Sequence, residues 1–332
     1  MATTQVTLYI KDFIENTTTT LVQGSVMTQV EPVYTEIAKL IPISAVIVII
    51  NSVVCFLFVR KKSLRTVSNY PLFSLAVCDF LCGFVVIPLF VIVSFTPLIQ
   101  SPSSRFYLGF VVVVLHNFVA ILTVFHIVVV TAERYLAIKF PLKHRVLGQT
   151  FMHKILATVW IGSLLISLIP FAWINKIFPV YQPESTNFTL GFAVFCLVFA
   201  LVLPYTFLIY AFTSMFKVVN RSFSKSFSKS VSRGQPARLE VSGDRKCLLL
   251  FVLMALVFFF CWLPWFTMLL LPQLPVPLDH SKLDFAYQVA LIIRYMTSVI
   301  NPLLYTFIKQ DFRRALKSIS KKYERKPISS LS

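Results

Sequence analysis

Charge is what this chain has least of: only 13% of its 332 residues are Asp, Glu, Lys or Arg, against about 25% in soluble domains. With 57% hydrophobic residues, too little polar surface is left to cover a soluble core. Acids are the scarcer sign, 13 against 31 Lys and Arg, for a net charge of +18. Short alternating strands are missing, which excludes an outer-membrane barrel. Neither a nucleophile–base pair nor metal-ligand spacing occurs, so no enzyme is indicated. The first 36 residues hold no apolar core, so no cleavable signal peptide is expected, and the first apolar run serves as its own insertion signal. All six cysteines (Cys55, Cys78, Cys82, Cys196, Cys247, Cys261) fall within or at the edge of apolar runs. They read as small packing residues rather than a disulfide framework.

What is there comes in long blocks, and a bilayer crossing needs roughly 20 apolar residues. Charge-free stretches predict seven helical spans over 37–59, 70–97, 106–138, 153–174, 188–216, 247–271 and 284–308. Only Asp79 interrupts the second and only Arg294 the last. The expected fold is an all-α integral membrane protein, a seven-transmembrane helix bundle. A tail over 1–36 precedes the bundle at 37–308, and a cytoplasmic segment over 309–332 follows it. In that last segment Phe312, Leu316 and Ile319 recur at helical spacing opposite Arg313, Arg314, Lys317 and Lys321, the pattern of an amphipathic helix on the membrane surface.

Cations set the orientation. One set of connections carries Arg60 to Arg65, Lys139 to Lys154, Lys217 to Lys246 and the C-terminal tail. The other carries Lys11, Lys39, Arg105, Lys176 and Lys282, balanced by seven acids from Asp12 to Asp284. The N-terminus is therefore expected outside and the C-terminus inside. The positive charge is a topology signal that also attracts anionic lipid; it does not indicate nucleic acid. Asn16 and Asn187 head glycosylation sequons on the outer side. Residues 220–245, rich in Ser and Lys, read as a mobile inner loop.

Rise per residue sorts the buried polar groups into layers. Asn51, Asp79 and Asn301 each lie roughly 12–14 Å from the inner end of their spans at ~1.5 Å per residue, with Thr123 close by. A lone carboxylate at that depth must be paired, hydrated or holding a cation. A static network between helices and a sodium-binding switch both fit. Counted from outside, His116, Trp262 and Arg294 sit roughly 15 Å down, beside Asn117 and Tyr295. Such a ring would line a ligand pocket. Arg294 calls either for an anion-bearing ligand or for a structural partner, Glu184 or Asp284 folding inward. His126 reads as packing. At the inner end of the third span stands Glu133-Arg134-Tyr135, an acid and an arginine at a depth where charges are costly. Pro88, Pro170, Pro204, Pro264 and Pro302 kink the spans.

Together these residues resemble the rhodopsin-like (class A) G-protein-coupled receptors, along nearly the whole chain. The resemblance rests on Asn51, Leu75-Ala-Val-Cys-Asp79, Glu133-Arg134-Tyr135, Trp160, Pro204, Cys261-Trp262-Leu263-Pro264, Asn301-Pro302-Leu-Leu-Tyr305 and Asp311-Phe312-Arg313-Arg314. It implies a plasma-membrane receptor that binds an extracellular ligand within the bundle and activates heterotrimeric G proteins by outward movement of the sixth helix. It implies that Arg134 pairs with Glu133 and with Asp244 in the resting state. Trp262 would be the toggle beneath the ligand, Tyr305 a residue that swings inward, and Asp79 a site for allosteric sodium. Four departures stand out. Gly109 and a cysteine-free loop over 174–187 remove the family's usual outer disulfide, so a looser entrance is expected. His116 stands where amine receptors carry an aspartate, and Tyr295 where opsins carry the retinal lysine. Phe212 replaces a tyrosine. The ligand reads as acidic or lipid-like. A seven-helix transporter or a non-signalling decoy receptor is the alternative.

Overall fold

The computed structural model describes residues 26–176, 184–231, 240–271 and 280–324. In chain order its helices are α1 (Val26–Arg60), α2 (Tyr70–Leu81), α3 (Ile87–Phe95), α4 (Pro102–Lys139), α5 (Pro141–Val146), α6 (Gln149–Leu168), α7 (Glu184–Leu197), α8 (Leu203–Val231), α9 (Glu240–Leu270), α10 (His280–Ile308) and α11 (Gln310–Glu324). A π-turn at Cys82–Val86 joins α2 to α3, another at Val198–Val202 joins α7 to α8, and a 3-10 stretch Ile169–Lys176 extends α6. Among the described residues there is no strand.

Seven of these stretches are long and apolar enough to cross a membrane: Ile37–Arg60, Tyr70–Phe95, Pro102–Lys139, Gln149–Ile174, Asn187–Ser222, Leu248–Met268 and Phe285–Ile308. They coincide with the expected spans to within a few residues, and the helices overrun them at three places. The first begins at Val26, inside the expected tail, and no glycine interrupts it up to Arg60. The fifth continues to Val231 and the sixth starts at Glu240, so much of the segment expected as a mobile loop is helical. Phe216, Val219, Phe223 and Phe227 recur there at helical spacing, a signal masked by the intervening Ser and Lys.

The third span is the hub, packing against the second, fourth, fifth and sixth, and the sixth lies along the seventh. The burial pattern is that of a protein solvated by lipid. Ile49, Phe84, Leu165, Ile209 and Phe260 are exposed while Asn51, Asp79, His126 and Arg294 are buried. Backbone satisfaction within each helix is what makes this exterior stable in hydrocarbon, and close side-chain packing holds the helices together.

The prolines are accommodated in two ways. Pro88 and Pro204 directly follow the π-turns, in which the N–H of Ile87 reaches Cys82 O and that of Leu203 reaches Val198 O. The wider ring moves aside the carbonyl that a proline ring would strike. Pro264 and Pro302 lie inside continuous helices. The first π-turn also brings backbone close to backbone. A Cβ on Gly83 would stand 2.9 Å from Ile47 Cγ2, and Ser44 Oγ donates to Gly83 O at 2.7 Å.

Trp160 Nε1 donates to Ser74 Oγ (2.9 Å), and the same hydroxyl meets His126 Nε2 (2.8 Å), while His126 Nδ1 bonds Leu122 O (2.7 Å). Since a carbonyl only accepts, Nδ1 carries the proton and Nε2 of the neutral ring accepts from Ser74. His126 is thus the packing residue expected, and one hydroxyl ties the second, third and fourth spans.

Candidate functional site

Three polar layers are stacked along the bundle. At mid-depth Asn51 Nδ2 donates to Ile47 O (2.9 Å) and to Ser298 O (3.0 Å), joining the first span to the seventh. Ser298 Oγ donates to Asp79 Oδ1 (2.7 Å), joining the seventh to the second. The layer remains unsaturated: Asp79 Oδ2, Asn51 Oδ1 and both amide atoms of Asn301 are buried without a hydrogen-bond partner. Thr123 is buried as well, in the third span. Ser298 was not legible as a member. Its signal is that it lies three residues before Asn301, hence on the same helix face.

Nearer the outer end, His116 Nε2 and Tyr295 Oη are hydrogen-bonded at 2.6 Å, binding the third span to the seventh. Next to this pair the guanidinium of Arg294 lies against aromatic faces, its Cζ 3.6 Å from the Trp265 ring centre, 4.9 Å from Tyr295 and 5.5 Å from Trp262. Arg294 is 2% exposed, and neither Nη1 nor Nη2 has a hydrogen-bond partner. Asn117 is buried beside His116 in the chain, and Phe90 sets its ring edge-on to His116 at 5.7 Å. Of the residues singled out from sequence depth, His116, Tyr295, Arg294 and Trp262 thus lie together, with two amendments. The ring is buried rather than open, and its nearest partner to Arg294 is Trp265, which sequence reading passed over. Trp265 is three residues from Trp262 and so on the same face of the helix. The side chains of Glu184 and Asp284, the alternative partners, lie outside the described residues.

At the inner end, Glu133 is 3% exposed. Its Oε2 lies 2.9 Å from Arg134 Nε, and its Oε1 lies 2.7 Å from His144 Nε2. Arg134 also faces the Phe251 ring of the sixth span, Cζ to centroid 5.9 Å. His144, on the short helix α5, had no distinguishing mark within its cationic run. Tyr135 Oη accepts from Lys139 Nζ (2.8 Å), which also donates to Ser214 Oγ (3.3 Å) on the fifth span. Asp244 lies on α9, but its side chain is outside the described residues. Tyr305 is fully buried, Oη unpartnered, its ring 5.3 Å from that of Phe312 at the start of α11. Lys309 Nζ donates to Asn69 Oδ1, fastening the end of the seventh span to the first inner connection.

Asn16 lies outside the described residues. Asn187 is exposed on α7 and borders, with Trp173 and Phe188, a shallow apolar recess. Phe212 is buried in the fifth span. Among the described residues the cysteines are free, and no three His, Cys, Asp or Glu side chains gather as metal ligands.

Known proteins share this arrangement. The chain is 28% identical over 297 residues to "Adenosine receptor A2b" of Gallus gallus, covering 82% of this chain and 84% of that receptor. It is 25% identical over 308 residues to the Canis lupus familiaris protein of the same name, covering 86% and 90%. It is 23% identical over 290 residues to "Adenosine receptor A2a" of Canis lupus familiaris, covering 81% and 68%. A family model described as "7 transmembrane receptor (rhodopsin family)" matches residues 50–305. A bundle of seven apolar helices with Glu133-Arg134 at one end and a buried aromatic ring at the other, matched over most of its length, belongs to the rhodopsin-like family of G-protein-coupled receptors, which are signalling receptors and not enzymes.

Proposed function

We propose that the protein is a plasma-membrane receptor with its N-terminus outside. Its ligand binds within the outer half of the bundle, and its inner face activates heterotrimeric G proteins when the sixth helix swings outward. The observation that carries this reading is the Glu133–Arg134 pair at 2.9 Å, anchored on its acid side by His144 and lying in the same bundle as the ring around His116, Asn117, Trp262, Arg294 and Tyr295. A charge pair held in one arrangement of an element, with a buried polar and aromatic ring on the same element, is the equipment of a two-state switch. A ligand shifts such a switch only by its differential affinity for the two states. Asp244 on α9 is the further acid that would hold Arg134 at rest, and Tyr305 the side chain that would move inward.

The mid-depth layer suits a sodium ion. Asp79 Oδ2 and the side-chain oxygens of Asn51 and Asn301 are buried, unpartnered acceptors, and hard cations take oxygen ligands. Asn51, Asp79, Asn301 and Thr123 would hold it together with Ser298. Its charge would offset that of Asp79 and favour the packing in which those residues converge.

The ligand class favoured by the outer ring is acidic or lipid-like. A second reading, supported by the names of the relatives, is adenosine itself. A transporter would call for internal repeats or a charged path, and the chain has neither. On the inner side, the exposed cations of α11 opposite buried Phe312 and Ala315 suit contact with anionic lipid.

The purified chain in nanodiscs, mixed in turn with each class of heterotrimer, should accelerate guanine-nucleotide exchange above empty discs. Asp244→Ala should raise that basal rate, and Arg134→Ala should abolish it. Exchange at the empty-disc rate with every class, or solute flux through liposomes bearing the chain, defeats the reading.

A further inference from the structure

The outer ring contains a cation with nothing to hold. Arg294 lies nine residues inside the seventh span, about 14 Å from its outer end at the helical rise, and is 2% exposed. Its flat face is covered by Trp265 at 3.6 Å, with Tyr295 and Trp262 alongside. Stacking of this kind attracts a guanidinium, but it leaves the edge of the fork untouched. Both Nη atoms are buried donors without acceptors, and buried charges in proteins are ordinarily paired. Among the described residues no acceptor is hydrogen-bonded to Nη1 or Nη2. Tyr295 Oη, the hydroxyl beside the guanidinium, is engaged with His116 Nε2, and Trp262 and Trp265 bring indole N–H groups, themselves unpartnered. The ring therefore presents four donor atoms, Nη1, Nη2 and two indole nitrogens, around a surface that is otherwise aromatic.

We propose that this ring is a recognition site for an organic carboxylate with a planar apolar body, its two oxygens taken edge-on by Nη1 and Nη2 of Arg294 and its body lying against Trp265 and Trp262. The planar fork of arginine matches the two oxygens of a carboxylate, which a lysine could not do. The aromatic walls suit a flat hydrocarbon portion. A neutral nucleoside brings acceptors but no charge to offset that of the guanidinium, so the proposed ligand differs in charge from what the names of the relatives describe. His116 and Tyr295 are bonded to each other beside the guanidinium, so the anion would also sit where the third, sixth and seventh spans meet. Occupancy would draw on Arg294 and Trp265 together, and through them on the sixth helix.

The proposal rests on the outer ring being the ligand site, but binding and melting require no G protein, so its failure and a failure of coupling are read separately. Thermal melting of the purified receptor in nanodiscs is followed with millimolar phenylacetate, phenylacetamide or benzylphosphonate, three probes sharing one ring and differing in head group. Phenylacetate should raise the melting temperature by about 2–4 °C, phenylacetamide should not, and Arg294→Gln should remove the response. A second measurement needs no probe. Arg294→Met keeps the side-chain volume while removing an unpaired buried charge, so the unliganded variant should melt higher than wild type. A lower melting temperature for Arg294→Met means the cation already has a structural partner, and overturns the proposal. Equal shifts with acid and amide, a response retained in Arg294→Gln, or no shift with phenylacetate overturn it as well. Stabilisation by benzylphosphonate alone overturns the carboxylate assignment.

Discussion

Asp79 shows how much one side chain can decide. Ser298 satisfies one of its oxygens at 2.7 Å, the other is buried and unpartnered, and in the same layer the amide oxygen of Asn301 is also without a partner. A bound sodium ion would satisfy both oxygens at once, and a ligand that binds only the folded chain raises its stability. The receptor should therefore melt about 3–5 °C higher in sodium chloride than in choline chloride of equal strength when sodium is near tenfold its dissociation constant. Asp79→Asn should lose the difference. Identical melting in the two salts would remove the ion from the account. This residue was legible because a carboxylate in an apolar run is conspicuous and its depth can be counted. Ser298, Trp265 and His144 were not. A serine or tryptophan in a membrane helix is ordinary, and only the rotation of the helix, fixed by packing, decides whether it faces the bundle. His144 needed the fold of a short connection that apolar periodicity does not describe.

Among the elements, the outer link between the second and third spans is held by an arginine. Arg105 Nη2 donates to Ile99 O (2.7 Å) and Thr96 O (3.1 Å), Nε to Ile99 O (3.2 Å) and Nη1 to Val93 O (3.4 Å). These are carbonyls at and just beyond the end of α3, where a helix leaves its last acceptors without intrahelical partners. One cation from the next helix satisfies them and fixes the link, in a chain where Gly109 replaces the third-span cysteine of the family's disulfide. A Cβ on Gly109 would meet Val93 Cγ1 at an ordinary 3.8 Å, so space is no obstacle to a side chain there. Arg105→Ala should cost about 1–2 kcal/mol, since bonds to a charged donor contribute more than neutral ones but this site is only partly buried. A drop of about 3–6 °C in melting temperature follows, and unchanged melting would reduce these contacts to incidental ones. Sequence reading gave Arg105 only a topological role. The spans themselves were plain from charge-free blocks, whereas the π-turns before Pro88 and Pro204 were not. Proline announces a local adjustment, but the surrounding packing decides between a kink, a π-turn and a 3-10 stretch.

Across the molecule the described residues tie the inner face unevenly. Lys139 fastens the third span to the fifth through Tyr135 and Ser214, and Lys309 fastens the seventh to the first inner connection through Asn69. Glu133, held by Arg134 and His144, fastens the third to the second inner connection. Toward the sixth span, Arg134 has the Phe251 ring at 5.9 Å, a contact without hydrogen-bond direction. The fixed members thus form a frame around the one helix that the proposed mechanism requires to move. Glu133 is the point where the frame and the switch share an atom group. One carboxylate oxygen serves Arg134 and the other His144, so removing His144 leaves Glu133 with Arg134 alone and no anchor to hold the pair in register. Losing that one hydrogen bond is worth about 0.5–1.5 kcal/mol, which shifts a two-state equilibrium by roughly 2–13-fold. If the bond holds Arg134 in the proposed resting arrangement, His144→Ala should raise basal nucleotide exchange by a factor in that range at equal receptor amount. His144→Gln, which can still donate to the carboxylate, should restore most of the resting level. If His144→Ala leaves basal exchange unchanged, or lowers it, the second inner connection is not part of the brake and the restraint on Arg134 must come from the sixth helix itself.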